Sequence, residues 1–148
     1  MLLIQDTRPL RVQSDRLSEF AQRYATAWCS QDAASVAAFY AADGSLSVND
    51  GPPAVGRSAI MEVAQSFMTA FPDMRVIMDK VLVQGERIQF HWTLIGTNTG
   101  PGGTGQRVRI SGFELWQMGA DRLIASSQGH FDSSEYDRQL KGGPLEPH

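Results

Sequence analysis

Three polar side chains near the C-terminus, Gln128, His130 and Asp132, fall two residues apart. On a strand that spacing sets all three on one face, with His130 and Asp132 about 7 Å apart and within reach of a common substrate. Removing a proton next to a carbonyl needs a carboxylate in a desolvated pocket, where its pKa rises toward working pH. Asp132 is the candidate for that base. His130 can donate or shuttle a proton, and the Gln128 amide can orient a carbonyl oxygen. The same stretch also has a structural reading. Asp132-Ser133-Ser134-Glu135 puts Glu three residues after an acceptor side chain, the pattern of a helix N-cap. Asp132 can therefore start a last helix, and the two roles are compatible. A histidine such as His130 can equally be satisfied by a buried carbonyl or sit at a rim.

Glu114, within Gly112-Phe113-Glu114-Leu115-Trp116, is an acid in an otherwise apolar run. Facing inward, it is a second titratable group for acid-base work. Facing outward, it is an ordinary edge charge, and the outward reading is the expectation. Tyr24, Trp28 and Trp92 offer apolar surface with polar handles, suited to a flat aromatic or polyketide-like ligand, or to plain core. His91 alternates with Phe90 and Trp92, so it points away from their face.

Other chemistries find little support. The three histidines and the single Cys29 form no helix pair or Cys-x-x-Cys clip for a metal. Gly100-Pro101-Gly102-Gly103-Thr104-Gly105 lacks the lysine of a phosphate-binding loop and joins two strands, so it reads as a mobile hairpin tip. No Gly-x-Ser-x-Gly elbow is present, and Cys29 has no motif of a nucleophile; it reads as a reduced, buried thiol. Lys plus Arg number 13 against 16 Asp plus Glu, net −3. With no run of five like charges, a nucleic-acid partner is not expected. No apolar run approaches the ~18 to 20 residues of a membrane span, and Met1-Leu2-Leu3-Ile4 is too short for a signal-peptide core. A cytoplasmic protein is the expectation.

A chain of 148 residues, 42% hydrophobic and 20% charged, has the size and balance of one globular domain. Residues 1–13 contain Pro9 and no amphipathic period, and read as an N-terminal arm; 14–142 form the domain and 143–148 a flexible tail. From Ser14, a candidate cap, Leu17, Phe20, Ala21, Tyr24, Ala27 and Trp28 follow helical spacing. Asp32 can cap a second helix running through Tyr40 to a stop at Asp43-Gly44. A brief strand, Ser45 to Val48, and a loop through Pro52-Pro53 follow. Ser58 opens a third helix that Pro72 ends.

The period then changes to that of strands, over 74–84, 87–98, 106–118 and 122–132, with short gaps that predict consecutive antiparallel hairpins. In the first of these, Met74, Val76, Met78 and Leu82 fall on one face, and Ile77, Val81 and Val83 on the other. A sheet apolar on both sides needs two covers. The helices supply one and a second subunit the other, which predicts a homodimer. The class is α+β, three N-terminal helices closing over a curved, mainly antiparallel sheet to enclose a cone.

Within these elements, Tyr24 to Trp28 followed by Asp32, Phe39-Tyr40-Ala41-Ala42-Asp43, Gly56-Arg57-Ser58-Ala59-Ile60, Phe71-Pro72-Asp73, Gly96-Thr97-Asn98-Thr99-Gly100, and Phe131-Asp132 leading into Arg138-Gln139-Leu140 stand in a characteristic order. The chain resembles in these the SnoaL-like branch of the nuclear transport factor 2-like superfamily, over residues 15 to 142. The resemblance implies a conical α+β barrel of the cystatin-like kind, frequently dimeric, with a mostly apolar pocket. Polyketide cyclases of this branch close a ring by intramolecular aldol condensation without metal or cofactor, using an acid at the position matched by Asp132. The chain departs from the family at Asn98, where the turn usually carries His, and near Gln128, where a bulky residue is usual.

The resulting expectation is a cofactor-independent acid-base enzyme of the cyclase or isomerase kind, acting on a small apolar carbonyl compound. Asp132 and His130 would be catalytic, and Tyr24, Trp28, Trp92, Asn98, Glu114 and Gln128 would contact substrate. A hydrolase pairing Asp132 with Glu114 requires Glu114 to face inward. The competing class is a non-catalytic module that binds a hydrophobic small molecule or mediates dimerisation, with a dry cone and Asp132 committed to its helix cap.

Overall fold

The structure, a computed structural model, describes residues 10–143, with side chains from residue 16 onward. The chain runs α1 (Leu10–Trp28), α2 (Ala33–Ala37), β1 (Tyr40–Val48), β2 (Ala54–Val55), α3 (Arg57–Ala70), β3 (Arg75–Gln84), β4 (Arg87–Thr97), β5 (Arg107–Met118), β6 (Ile124–Phe131) and α4 (Ser133–Gly142). The six strands form one curved sheet in the order β2-β1-β6-β5-β4-β3. All its pairings are antiparallel except β1 with β6. This is the α+β architecture expected from the sequence. Residues 1–9 of the expected arm and 144–148 of the expected tail lie outside the described residues. Leu10 to Gln13, read as arm, are helical, so Ser14 lies inside α1 and does not cap it.

The helices bury their apolar faces on the concave side of the sheet. On α3, Ile60, Ala64 and Met68 are buried at four-residue spacing, one stripe of the helix. Tyr24 of α1 sits edge-on to Trp116 of β5 at 5.2 Å, and Trp116 stacks on Phe90 of β4 at 5.0 Å. All three rings are fully buried, and such offset pairs add to the gain from burial alone.

Two boundaries differ from the sequence reading. Asp32 caps α2 as expected, accepting from Ala34 N at 3.2 Å, but the helix ends at Ala37 and Tyr40 opens β1. Tyr40 pairs with Ile124, and Ile124 N donates to Phe39 O at 2.9 Å; a distant strand thus overrides the helical propensity of the alanine-rich run. In β3 the register slips between Met78 and Lys80. A bulge of this kind reverses the alternation beyond it. Val81 consequently packs inward with Val76 and Met78, whereas Leu82, expected beside Met78, pairs with Gln89 and is exposed. Ile77 and Leu82 remain exposed on the convex face, where the expected second subunit would have to sit.

The glycine-rich tip, read as mobile, is tied to the body. Asn98 Nδ2 donates to Ala70 O at 3.1 Å, and its Oδ1 accepts from Thr104 N at 2.8 Å. A Cβ on Gly100 would strike Thr69 O. Asn98 therefore braces the hairpin against the end of α3.

Candidate active site

Strand alternation decides which polar groups reach the interior. On β5, Val108, Ile110, Glu114 and Trp116 are buried at even-numbered positions, and Gly112, in the same phase, lies under Trp92, where a Cβ would come within 2.7 Å of the indole. Glu114 therefore faces inward, contrary to the outward expectation. The helices and the concave face enclose a partly open cavity of about 60 Å³, walled by Trp28, Phe67, Trp92, Phe131 and Tyr136, with Glu114 as its one acidic residue among the described residues. In that measure a single water needs about 10 to 15 Å³, so the space suits a few waters or a small apolar molecule.

One oxygen of Glu114 is heavily solvated by the protein. Oε1 accepts from Ser127 Oγ at 2.7 Å, Tyr24 Oη at 2.9 Å and Trp116 Nε1 at 3.0 Å, with Tyr40 Oη at 3.4 Å. Tyr24 and Tyr40 also share a 2.7 Å hydrogen bond. Oε2 has no hydrogen-bond partner among the described residues and opens on the cavity. Burial raises the Glu114 pKa above its ordinary value, and the donors from Ser127, Trp116, Tyr24 and Tyr40 offset part of that rise. Both tyrosines are pushed well up, first by burial and then by the neighbouring Glu114 charge. They stay protonated and serve as donors.

Trp28 Nε1 is buried with no hydrogen-bond partner among the described residues. It lies near enough to the Tyr24 hydroxyl to exert a small lowering influence on that group, but no bond of proper geometry forms. Trp28 and Trp92 thus line the cavity, whereas Tyr24 stands behind Glu114 and holds it.

Gln128, His130 and Asp132 share a face as their spacing predicts, but it is the face away from the cavity. β6 turns Ser127, Gly129 and Phe131 inward, leaving Gln128 exposed. His130 is half-buried on the convex side, 5.1 Å from the Phe113 ring, which stacks in turn on His91 at 5.6 Å. Asp132 is exposed and accepts from Glu135 N at 3.1 Å as the N-cap of α4. Asp132 and His130 border an open outer groove with Asn49, Asp50 and Ser111. The inward set of β6, with Gly129 and Phe131, is more apolar than the outward Gln128 and His130, so the alternation itself marked the polar set as the outward one. On β5 the signal was present, since Glu114 is in step with Ile110 and Trp116. The sequence reading missed Tyr40 and Ser127, neither of which is chemically unusual until β1 and β6 bring them to Glu114. Among the described residues no group of three His, Cys, Asp or Glu could hold a metal, and no helix is long and apolar enough to cross a membrane.

The SnoaL-like domain family matches residues 21–127, well over half of the chain. The chain belongs to the SnoaL-like family. No curated protein matches its sequence. Among solved structures, this SnoaL-like chain is similar to a hypothetical protein with a ketosteroid isomerase-like fold from Catenulispora acidiphila DSM 44928, in complex with trimethylamine. The TM-score is 0.74 at 18% identity, over 87% of this chain and 98% of that one. A SnoaL-like polyketide cyclase candidate from Jannaschia Sp. CCS1 gives 0.73 at 16%, over 95% and 99%. A phenazine biosynthesis-related protein from Pseudomonas aeruginosa gives 0.68 at 14%, over 93% and 94%. At such identities the likeness establishes a shared fold, the nuclear transport factor 2-like or ketosteroid isomerase-like one.

Proposed function

We propose that this SnoaL-like protein is an acid-base enzyme of the cyclase or isomerase kind that acts on a small apolar carbonyl compound, with Glu114 as the proton carrier. The observation behind this reading is a buried carboxyl group with one oxygen fixed by four donors and the other open to an apolar cavity. Ionised Glu114 would take a proton from a carbon next to the carbonyl, leaving an enolate. Where the substrate carries a β,γ double bond the enolate is extended, and returning the proton to its γ-carbon completes an isomerisation; attack of the enolate carbon on a second carbonyl of the same molecule, followed by protonation of the new alkoxide, completes an aldol ring closure. Ser127, Trp116 and Tyr24 hold the carboxyl in one orientation, so little reorganisation accompanies proton transfer. The raised pKa brings the acid and base forms closer in energy near neutral pH, which is what general base catalysis requires.

Solvent deuterium exchange into the α-carbon of cyclohexanone, followed by NMR, tests this. Glu114→Gln should slow the enzyme-dependent exchange by at least 100-fold, the scale of a lost general base, and Asp132→Asn should leave it near wild type. Equal rates in wild type and Glu114→Gln would sink the proposal.

A second reading is a binding module for a small alkylammonium ion. It is favoured by the trimethylamine in the Catenulispora protein together with the aromatic walls around a single carboxyl here, because a cation gains from ring faces as well as from its counter-ion. Titration with trimethylammonium chloride, read by tryptophan fluorescence, should then saturate in wild type and fail in Glu114→Gln. No response in wild type removes this reading.

A further inference from the structure

Inward residues of the sheet form rows of cross-strand neighbours, which stand about 5 Å apart at Cβ in antiparallel strands. In the row that holds the acid, Phe90 of β4 lies opposite Glu114, Glu114 lies opposite Gly129 of β6, and Gly129 lies beside Val48 of β1. The Phe90 flank is closed, because that ring is fully buried against Trp116 and Tyr24. The Gly129 flank has no side chain at all. Two other inward glycines of the sheet leave gaps that the protein fills for itself. A Cβ on Gly96 would meet the Phe71 ring at 3.1 Å, and one on Gly112 the Trp92 indole at 2.7 Å. At Gly129 a Cβ would meet only the Ser47 carbonyl oxygen at 3.4 Å and Glu114 Cγ at 3.8 Å, both ordinary contact distances. Gly129 is buried, in phase with Ser127 and Phe131, and borders the cavity. Its φ lies outside the left-handed region, so the backbone does not require glycine there.

We propose that Gly129 determines specificity: the place of its missing side chain is a slot beside the carboxyl that receives the carbon skeleton next to the reacting carbon. The class it selects is a ketone whose reacting carbon is a methylene within a ring or chain, in preference to a terminal methyl. A methyl group needs room only for itself at the carboxyl. A methylene brings a further carbon along the same wall, and with Phe90 closing one flank of Glu114 that carbon goes to the other. The surroundings suit carbon, since Leu46 and Val48 of β1 and Phe131 of β6 border the cavity from the strands around Gly129, and a polar group buried among them would lack a partner. Both substrates named above, the β,γ-unsaturated ketone and the dicarbonyl, can react at such a methylene. In an apolar site of this kind the space of one methylene separates substrates by about tenfold or more.

The proposal rests on the acid-base reading for what the carboxyl does beside the slot, and its test separates the two. Acetone and cyclohexanone are titrated against wild type, Gly129→Ala and Glu114→Gln, with binding read from chemical-shift changes in the protein NMR spectrum. Deuterium exchange into both ketones is measured on the same proteins. Gly129→Ala should melt at or above the wild-type temperature, because alanine fits the space and restricts the unfolded chain. It should weaken cyclohexanone binding and slow cyclohexanone exchange by about tenfold or more, with acetone binding and exchange within about twofold of wild type. A melting temperature below wild type would mean that the glycine serves the packing of β6, and the proposal would be overturned. It is overturned as well if Gly129→Ala leaves cyclohexanone unaffected or weakens both ketones alike, or if wild type binds neither. If it fails in one of these ways while Glu114→Gln abolishes exchange, the acid-base reading stands and the Gly129 assignment alone falls. If Gly129→Ala discriminates against cyclohexanone while Glu114→Gln still exchanges, the slot stands and the base assignment falls.

Discussion

The two tryptophans nearest the Glu114 network differ in what their N–H groups do. Trp116 is fully buried, stacks on Phe90 and donates to Glu114 Oε1 at 3.0 Å. Trp28 is almost as buried, but its N–H has no partner. Replacing either with Phe trims a similar volume, whereas only Trp116→Phe removes a bond to an ionisable acceptor. It should therefore cost about 2 kcal/mol more than Trp28→Phe, or roughly 4 to 8 °C of melting temperature by calorimetry. Equal melting temperatures would mean that the Trp116 bond contributes nothing to holding the carboxyl. At this scale the sequence was half legible. The capping role of Asp132 followed from Glu135 three residues on, but the face it shares with His130 was assigned to the pocket from the chemistry of its side chains, against an alternation in which Gly129 and Phe131 mark the opposite face as the inward one. Glu114 could have been read as inward from its step with Ile110 and Trp116. Its charge argued for the surface, and that argument failed because Tyr24, Tyr40 and Ser127, distant in sequence, converge to solvate it.

Among elements, the long helices and the β4–β5 hairpin were readable because each carries its own period. The missed features, the start of β1 at Tyr40, the bulge in β3 and the two-residue β2, all come from pairing with a distant strand. α4 shows the same dependence. β5 pairs with β6 only from Gly112 onward, so its earlier residues lack a strand on that side, and the Gln139 amide takes the place of one by bonding both backbone groups of Arg109. Gln139 is 3% exposed, and its Nε2 also donates to Glu135 Oε2 at 2.8 Å. Gln139→Leu keeps the volume and deletes the bracket. Two neutral hydrogen bonds and the stranded Arg109 groups come to about 2 to 3 kcal/mol. Hydrogen exchange should show faster exchange at the Arg109 amide and across α4, with β3 and β4 unaffected. Uniform acceleration over the whole sheet would contradict a role local to α4.

For the whole molecule, the order of elements sufficed to read the fold, since three helices followed by long antiparallel strands can bury their faces in few ways. What the fold encloses has a thermodynamic signature. The Glu114 pKa is raised above the 4.5 of an unfolded glutamate, so between 4.5 and the folded value the native state holds a proton that the unfolded chain has lost. Its contribution to stability is fully present below 4.5 and is lost as pH rises through the folded pKa. Glu135 behaves oppositely. Arg138 and Gln139 lower it to about 2, so its contribution is present above 4.5 and is lost as pH falls toward 2, outside the Glu114 window. Asp73, lowered mainly by the Thr97 backbone bond, follows Glu135. His91 overlaps in part. Burial and then Lys80 depress it below 6.5, so it loses stability as pH falls below 6.5 and masks some of the Glu114 slope in wild type. The difference between wild type and Glu114→Gln removes that background, because His91 lies on the convex face and is common to both. In urea unfolding at a series of pH values from 5 to 8, Glu114→Gln should gain on wild type steadily as pH rises, and the pH at which the gain levels off marks where the carboxyl is fully ionised. If activity also depends on ionised Glu114, the rate of deuterium exchange should climb over that same interval. Parallel stability curves would mean that the carboxyl titrates as an ordinary glutamate, and a base poised by burial would lose its physical support.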